Sequence, residues 1–340
     1  NVVFVGTENN ALFRSVDGGK TWEWIRKGFW HNERSYPEFY DIVIDPDDES
    51  LMYAVLTNGP QTPDVEKSAG FYRSRDGGDS WERFVDGLPN TGTTSVAMAG
   101  EKGARRIFVG LDGEDPTNSI MKIKNVKPLG GIYFSEDEGV SWKTASVPEK
   151  GVNNRYSHIV VRGSSVFASG HRFTEEIPGA PRNIDIKKTI GLIRSVDEGM
   201  SWEVISPVGV FPYYFDVSMD GNVIYFSDGV SGNGYKSPDG GETWKKTNVS
   251  FSNVIRISPY NSDVAIFANG NQLFKTEDGL ATQKRVFRIQ GRGGFDDIEF
   301  TSDPNVIYAA GDGYRVYKSV DGGENFFQTA NLREWIEDNK

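Results

Sequence analysis

The sequence contains no cysteine, no run of eighteen apolar residues and no cluster of lysine or arginine. Without cysteine, disulfides, thiolate metal sites and a cysteine nucleophile are excluded. The absence of a long apolar run predicts that no helix spans a membrane. A formal net charge of −11 repels phosphate backbones, so nucleic acid is not an expected partner. No metal-ligand spacing joins the three histidines and no phosphate loop is present, so we expect no metal and no cofactor.

The chain also lacks an initiator methionine and a signal peptide. It starts at Asn1 and enters a strand-like run at residues 2–5. We therefore expect a processed or trimmed chain whose targeting segment lies outside the sequence. What the chain has in abundance is glycine, with 39 residues, and aromatic side chains, at 13%. Many tight turns and many strands are the expected consequence.

One pattern, Ser/Thr-x-Asp-x-Gly-x-Thr/Ser-Trp, recurs seven times, and we call each copy a box. The boxes begin at Ser15, Ser74, Ser135, Ser195, Ser237, Thr276 and Ser319. In the sixth box Leu280 and Gln283 replace the glycine and the tryptophan, and the seventh closes with Asn325 and Phe326. The aspartate can accept backbone N–H bonds in a tight turn, and the glycine permits a positive φ. The tryptophan can cover the adjoining hairpin.

A strand precedes each box, so each box is predicted to be the turn of a β-hairpin. Two more strands lie upstream, as at 42–44 and 52–55 or at 297–300 and 306–309, joined by turn-forming residues. A repeated four-stranded meander makes a propeller. The sequence thus predicts one all-β domain over 1–340, a seven-bladed β-propeller of four-stranded antiparallel blades. The blades are expected near 1–27, 39–88, 93–147, 155–206, 213–249, 252–288 and 294–330.

The first blade lacks its innermost strand in this sequence. Residues before Asn1 or the tail 331–340 are expected to supply it. The tail, with Leu332, Trp335 and Ile336, is equally compatible with a short helix.

The box repeat resembles that of the Asp-box, or bacterial neuraminidase repeat, propellers. That superfamily includes sialidases, xyloglucan-cleaving glycoside hydrolases, sortilin-like receptors and photosystem II assembly-factor-like proteins. The resemblance implies the fold rather than a function. The chain lacks the Arg-Ile-Pro-type motif of six-bladed sialidases, the second propeller of tandem xyloglucan-cleaving enzymes, and the cysteine-rich modules of ten-bladed sortilins. A single seven-bladed ring matches the assembly factors, whose blades are more compact.

Box spacing indicates where a site would lie. The first four boxes start about sixty residues apart and the later ones about forty. The extra residues fall at 28–39, 59–69, 113–129 and 171–189, in loops that leave the sheets at the end opposite the boxes. Inserts on three neighbouring blades would form a wall on that face, where binding is expected.

Residues predicted to reach this face form two sets. Aromatic, histidine and arginine side chains suit stacking on a sugar ring and hydrogen bonds to hydroxyls, although they could equally pack the inserts onto the propeller. Carboxylates can serve acid–base chemistry in pairs, although rim acids are also often solvated or paired with arginine. The proposed ligand contacts are Trp30, His31, Arg34, Tyr36, Tyr40, Arg155, Tyr156, His158, His171 and Arg172. The candidate catalytic acids are Asp112, Asp228 and Asp312, with Asp41 and Asp297 nearby.

Two functions remain open from the sequence. One is binding or processing of a carbohydrate or other extracellular polymer at the face opposite the boxes, in the manner of a glycoside hydrolase. The other is a non-catalytic protein-interaction scaffold that uses the same face. An extracellular or periplasmic location is expected for either, and the oligomeric state is left open.

Overall fold

The computed structural model describes residues 2–31, 36–57, 68–89, 91–112, 130–148, 154–172, 190–290, 293–311 and 314–338. These residues form seven antiparallel sheets in chain order, six of them four-stranded. The predicted seven-bladed β-propeller is confirmed. The first sheet has three strands within the described residues, and the tail forms a helix, as one of the two sequence alternatives predicted.

The strands follow the chain without crossovers inside any sheet. The first three sheets contain β1 Val3–Gly6, β2 Leu12–Ser15 and β3 Glu23–Ile25; β4 Glu38–Asp45, β5 Asp48–Thr57, β6 Gly70–Ser74 and β7 Glu82–Phe84; and β8 Thr93–Ala99, β9 Arg106–Leu111, β10 Gly131–Ser135 and β11 Lys143–Thr144. The fourth and fifth contain β12 Asn154–Arg162, β13 Ser165–Arg172, β14 Gly191–Ser195 and β15 Glu203–Val204; and β16 Pro212–Val217, β17 Ile224–Asp228, β18 Asn233–Ser237 and β19 Lys245–Ser250. The last two contain β20 Ile255–Ser258, β21 Asn261–Asn269, β22 Gln272–Thr276 and β23 Lys284–Arg288; and β24 Phe295–Phe300, β25 Ile307–Gly311, β26 Arg315–Ser319 and β27 Phe327–Asn331, before helix α1 Leu332–Asp338.

The chain divides into two compact units. The N-terminal unit comprises 4–14 and 23–209, and the C-terminal unit comprises 1–3, 15–22 and 210–340. In each unit apolar side chains fill the space between neighbouring sheets. Tyr53 and Phe71 of the second sheet, for example, pack with Val96, Val109 and Tyr133 of the third. Within the described residues, no helix is both long and apolar enough to cross a membrane.

In the six four-stranded sheets the box closes the turn between the third and fourth strands, and in the first sheet it closes the turn between β2 and β3. In the first box the Gly19 N–H donates to Ser15 Oγ over 2.8 Å, and the N–H and hydroxyl of Thr21 donate to the Asp17 carboxylate over 2.9 and 2.6 Å. The sixth box keeps this geometry without its glycine. Leu280 donates its N–H to Thr276 Oγ1 over 3.1 Å with a φ of 66°, while its side chain is buried. Core packing therefore holds a leucine in a backbone conformation that favours glycine.

A basic residue directly before the box serine links neighbouring sheets. Arg14 donates to the Gly77 carbonyl over 3.1 Å, and Arg73 to the Glu138 carbonyl over 3.1 Å, both in the N-terminal unit. In the C-terminal unit Lys318 donates to the Gly18 carbonyl over 3.0 Å. The three carbonyls occupy the same position in their boxes, so the turn of one hairpin also anchors the sheet before it.

Candidate functional site

Four polar side chains come together in the N-terminal unit, and we call them the Arg155 cluster: Tyr40, Asp112, Arg155 and His171. Tyr40 and Arg155 lie near the starts of first strands, whereas Asp112 and His171 lie at the ends of second strands. Because strands alternate in direction, both positions are at the sheet end opposite the box. The second, third and fourth sheets, predicted to carry the site, each contribute to the cluster.

The backbone brings the fourth sheet close to the third at this point. Asp112 and Arg155 form an isolated antiparallel bridge, and Thr94 Oγ1 donates to the Tyr156 carbonyl over 2.5 Å. A Cβ at Gly110 would lie 2.3 Å from that carbonyl oxygen. Only glycine therefore allows β12 to lie against β9, which in turn places Arg155 beside Asp112.

The charged pair at the centre of the cluster is shielded from solvent. Arg155 Nη1 lies 3.7 Å from Asp112 Oδ2, and the two side chains are 23% and 11% exposed. At this distance the contact is mainly electrostatic. The direct bonding within this pair is therefore weak.

Tyr40 is partly exposed, and its hydroxyl lies in the cluster. The residue is 45% exposed, yet burial of the hydroxyl raises the pKa of Tyr40, an effect that the hydrogen-bonded Arg155 guanidinium opposes. The negative charges of Glu38 and Asp112 act on the same hydroxyl. An exposed aromatic face with a fixed polar edge is suited to stacking on a sugar.

Glu38 is the residue that sequence reasoning missed. Burial and the negative charge of Glu8 raise the pKa of Glu38 to about 7. Glu38 lies two residues before Tyr40 on β4, but the bulge between Phe39 and Asp41 interrupts the strand alternation that would have linked them. Its neighbour Glu8 comes from the first sheet, which the local pattern around Glu38 does not reveal.

The three histidines have different environments. His171 is 1% exposed, and burial together with the Arg155 charge lowers its pKa to about 3, so the ring is neutral. Its Nε2 lies 3.1 Å from Ser157 Oγ and 3.4 Å from Ser169 Oγ. His158 occupies the bulge of β12 with a φ of 54°. His31 is exposed and lies outside the Arg155 cluster as defined.

An aromatic group precedes β4. The His31 and Tyr36 rings are 4.8 Å apart, and Tyr36 meets Trp24 edge-on at 5.7 Å. Arg26 covers the Trp24 ring at 4.3 Å. Tyr36 also packs against the core, while Trp30 is half-buried. The contacts of Tyr36 therefore favour packing, and His31, although exposed, lies against the Tyr36 ring.

Two of the predicted site residues, Tyr156 and Asp228, make contacts that hold the fold together. The Tyr156 ring is completely buried in the core between the third and fourth sheets, which leaves no face for a ligand. Asp228, in the C-terminal unit, accepts hydrogen bonds from the N–H groups of Phe211 and Val230 and from the N–H and hydroxyl of Ser231. These bonds fasten a turn and occupy both carboxylate oxygens.

Other acids named from the sequence hold neighbouring strands or turns. Asp41 accepts bonds from Ser95 Oγ at 2.9 Å and from the Val96 N–H at 3.0 Å. Asp297 accepts a bond from Arg256 Nη2 at 2.8 Å. The part of the chain that the structure describes contains no group of three His, Asp or Glu side chains placed for a metal ion.

Some predictions fall outside the described residues. These are Arg34, Asp312, the side chain of Arg172, and the central parts of the inserts at 58–67, 113–129 and 173–189. Whether the inserts form a wall around the Arg155 cluster therefore stays a prediction.

Comparison with known proteins points to propellers. Xyloglucanase Xgh74A of Acetivibrio thermocellus is 23% identical over 330 residues, which cover 84% of this chain and 38% of that protein. YCF48 from Cyanidioschyzon merolae superimposes with a TM-score of 0.57 at 15% identity, and the match covers 86% of this chain and 84% of YCF48. A structure of YCF48 bound to D1 peptide superimposes with a TM-score of 0.56. An ancestral GH74 enzyme superimposes with a TM-score of 0.59 at 12% identity, and the match covers 96% of this chain and 52% of that enzyme.

These likenesses confirm the predicted resemblance to this class of propeller at the level of fold. The chain spans little more than a third of the length of the xyloglucanase it matches. No family model matches the chain.

Proposed function

We propose that the protein binds a plant-type β-glucan such as xyloglucan at the Arg155 cluster, on the face opposite the boxes, as an extracellular or periplasmic glycoside-hydrolase-like propeller. The observation that carries the proposal is that Tyr40 is 45% exposed while its hydroxyl is held beside Arg155 and Asp112. Sequence similarity to a xyloglucanase over most of the chain supports the ligand class.

The chemistry of the cluster suits a neutral sugar. Tyr40 offers a flat apolar surface for the C–H groups of a pyranose ring, and Arg155 and Asp112 offer a donor and an acceptor for hydroxyls. Asp112 lies beside the arginine of the cluster and balances its charge. A uronic acid carboxylate would therefore meet an arginine that is already paired, so neutral glycans are favoured.

Binding of xyloglucan oligosaccharides, measured by isothermal titration calorimetry, tests the proposal. Tyr40→Ala is expected to weaken binding about tenfold or more, since loss of a stacked ring removes roughly 1.4 kcal/mol or more. Tyr40→Phe retains the ring and is expected to have the smaller effect. Tyr260→Ala is the matched control, because Tyr260 is 51% exposed but lies in the turn between β20 and β21, at the box end of its sheet.

An equal loss in the Tyr40 and Tyr260 variants would contradict the proposed location. Absence of any glycan binding by the intact protein would contradict the ligand class. The structural likeness to YCF48, which has been solved with a bound D1 peptide, keeps a protein-binding scaffold as the second candidate. Saturable binding of an extended peptide, lost in Arg155→Ala and without glycan binding, would favour that alternative.

A further inference from the structure

Two consecutive hydroxyl side chains of β8, Thr94 and Ser95, reach the neighbouring sheets. A bulge between Thr93 and Ser95 interrupts the pairing of β8 with β9, so the two side chains do not simply alternate between the faces of the third sheet. Thr94 is 8% exposed and Ser95 is 1% exposed. Hydroxyls buried to this extent need hydrogen-bond partners, and the partners of both lie beside residues of the Arg155 cluster.

Thr94 holds β12 at the base of Arg155. Its Oγ1 donates to the Tyr156 carbonyl over 2.5 Å, and Tyr156 directly follows Arg155 on β12. Arg155 itself is joined to Asp112 by the isolated backbone bridge. The fourth sheet is therefore fixed to the third at two successive residues of β12, and the guanidinium side chain leaves the strand at the first of them.

Ser95 joins β4 to β12 through a single oxygen atom. Its hydroxyl donates to Asp41 Oδ2 over 2.9 Å and accepts the Ile159 N–H over 2.9 Å. The one hydrogen of the hydroxyl and one lone pair are thus both used. Asp41 Oδ2 also accepts the Val96 N–H over 3.0 Å. Since Asp41 directly follows Tyr40, these bonds fix β4 to the third sheet next to the exposed tyrosine.

We propose that Thr94 and Ser95 are positioning residues of the glycan site, whose hydroxyls set how the Tyr40 hydroxyl meets the Arg155 guanidinium. The inference rests on the proposed function, which assigns the glycan to this cluster. Tyr40 belongs to the second sheet and Arg155 to the fourth, so their hydrogen bond depends on how both sheets are held against the third. Loss of either hydroxyl frees one of the two strands, and a hydrogen bond weakens quickly as its length and angle change.

Isothermal titration calorimetry with xyloglucan oligosaccharides measures the effect on binding. We expect Thr94→Val and Ser95→Ala each to bind about three- to tenfold more weakly, as residues coupled in one hydrogen-bond network do. Thr94→Ser keeps the hydroxyl and should bind as the original protein does. Thr329→Val is the matched control, because the Thr329 hydroxyl also donates to a carbonyl of another sheet, that of Gly19, over 2.8 Å, but lies in the C-terminal unit. That variant should lose stability without losing affinity.

Two further measurements separate positioning from general stability. Tyr40→Phe removes the hydroxyl that meets Arg155 and keeps the ring. In that background Ser95→Ala should change the affinity by less than about twofold, because the contact it places is already gone. NMR of the ligand-free protein gives the second readout. Ser95→Ala and Thr94→Val should shift the Tyr40 Cζ and Arg155 Nε signals, whereas Thr329→Val should leave them in place.

The outcomes distinguish the two proposals. An intact protein that binds no glycan overturns the proposed function, while the NMR signals still report whether the hydroxyls place the contact between Tyr40 and Arg155. Unchanged signals in both hydroxyl variants overturn the positioning role. The same conclusion follows if Ser95→Ala weakens binding equally with and without the Tyr40 hydroxyl, or if Thr329→Val weakens binding as much as Thr94→Val.

Discussion

Replacing Gly110 with alanine places a methyl group against the backbone of the fourth sheet. The added carbon would lie 2.3 Å from the Tyr156 carbonyl oxygen and 2.9 Å from Thr94 Oγ1. Restoring ordinary contact requires β12 to move by about 1 Å, which strains packing by about 1–3 kcal/mol and weakens the Thr94 bond, worth about 0.5–1.5 kcal/mol. We expect a loss of about 2–4 kcal/mol, or a thermal midpoint lower by roughly 5–10 °C. The Asp112–Arg155 contact should loosen with the strand.

Differential scanning calorimetry measures the thermal midpoint. Titration with xyloglucan oligosaccharides measures whether the Arg155 cluster still binds its proposed ligand. Gly294→Ala is the control, because the nearest atoms to its added carbon are at 3.5 and 3.6 Å and its φ is not positive. That variant should melt within about 1–2 °C of the original protein, since it lacks a destabilising mechanism. If Gly110→Ala melts as the control does, the close approach of β12 and β9 is not a constraint on the fold and the reasoning fails.

Three further predictions concern the sixth box, a buried histidine and the box aspartates. Leu280→Gly should unfold at a higher temperature than Leu280→Ala, although both lie below the original protein. Both lose about 2–5 kcal/mol of packing, but glycine regains about 1 kcal/mol at the positive φ; the reverse order would contradict a strained Leu280. With a folded pKa of about 3 against 6.5 for a free imidazole, His171 makes the folded protein less stable as pH falls from 6.5 towards 3, and His171→Gln should flatten that slope in thermal melts. Hydrogen bonds from Asn325 lower the pKa of Asp321 to about 2, so Asp321 stabilises the fold fully above pH 4 and loses this effect as pH falls through 2. The difference in melting temperature between Asp321→Ala and the original protein should therefore shrink over that pH range. A constant difference would contradict this prediction.

Much of the fold could be predicted from the sequence because the box is local. The hydrogen bonds of Asp17 and Ser15 close within the eight residues of the motif, and the strand before each box is continuous with it. The strand ends in the structure differ from the predicted ones by a few residues. β24 begins at Phe295, for example, two residues before the expected start.

The candidate site could be predicted only in part. Asp112 and Asp228 lie at corresponding places, at or just after the end of a second strand, so the sequence does not distinguish them. In the structure the Asp228 carboxylate accepts hydrogen bonds from the Phe211 N–H and the Ser231 hydroxyl, whereas Asp112 faces Arg155. Tyr156 and Tyr40 are likewise both tyrosines near the starts of first strands, one buried and one exposed. No periodic pattern separates them, because bulges change which side chain of β4 and β12 faces outward.

By itself the sequence determined the number of sheets, their hairpins and the end of each sheet at which the long loops emerge, since these depend on contacts within a few residues. Tertiary structure alone decided which side chains share the Arg155 cluster. Glu8 reaches Glu38 from another sheet, and Arg155 reaches Asp112 because Gly110 lets two sheets approach. Ionisation depends on burial and on charges several ångströms away, and those distances are set only when the sheets pack.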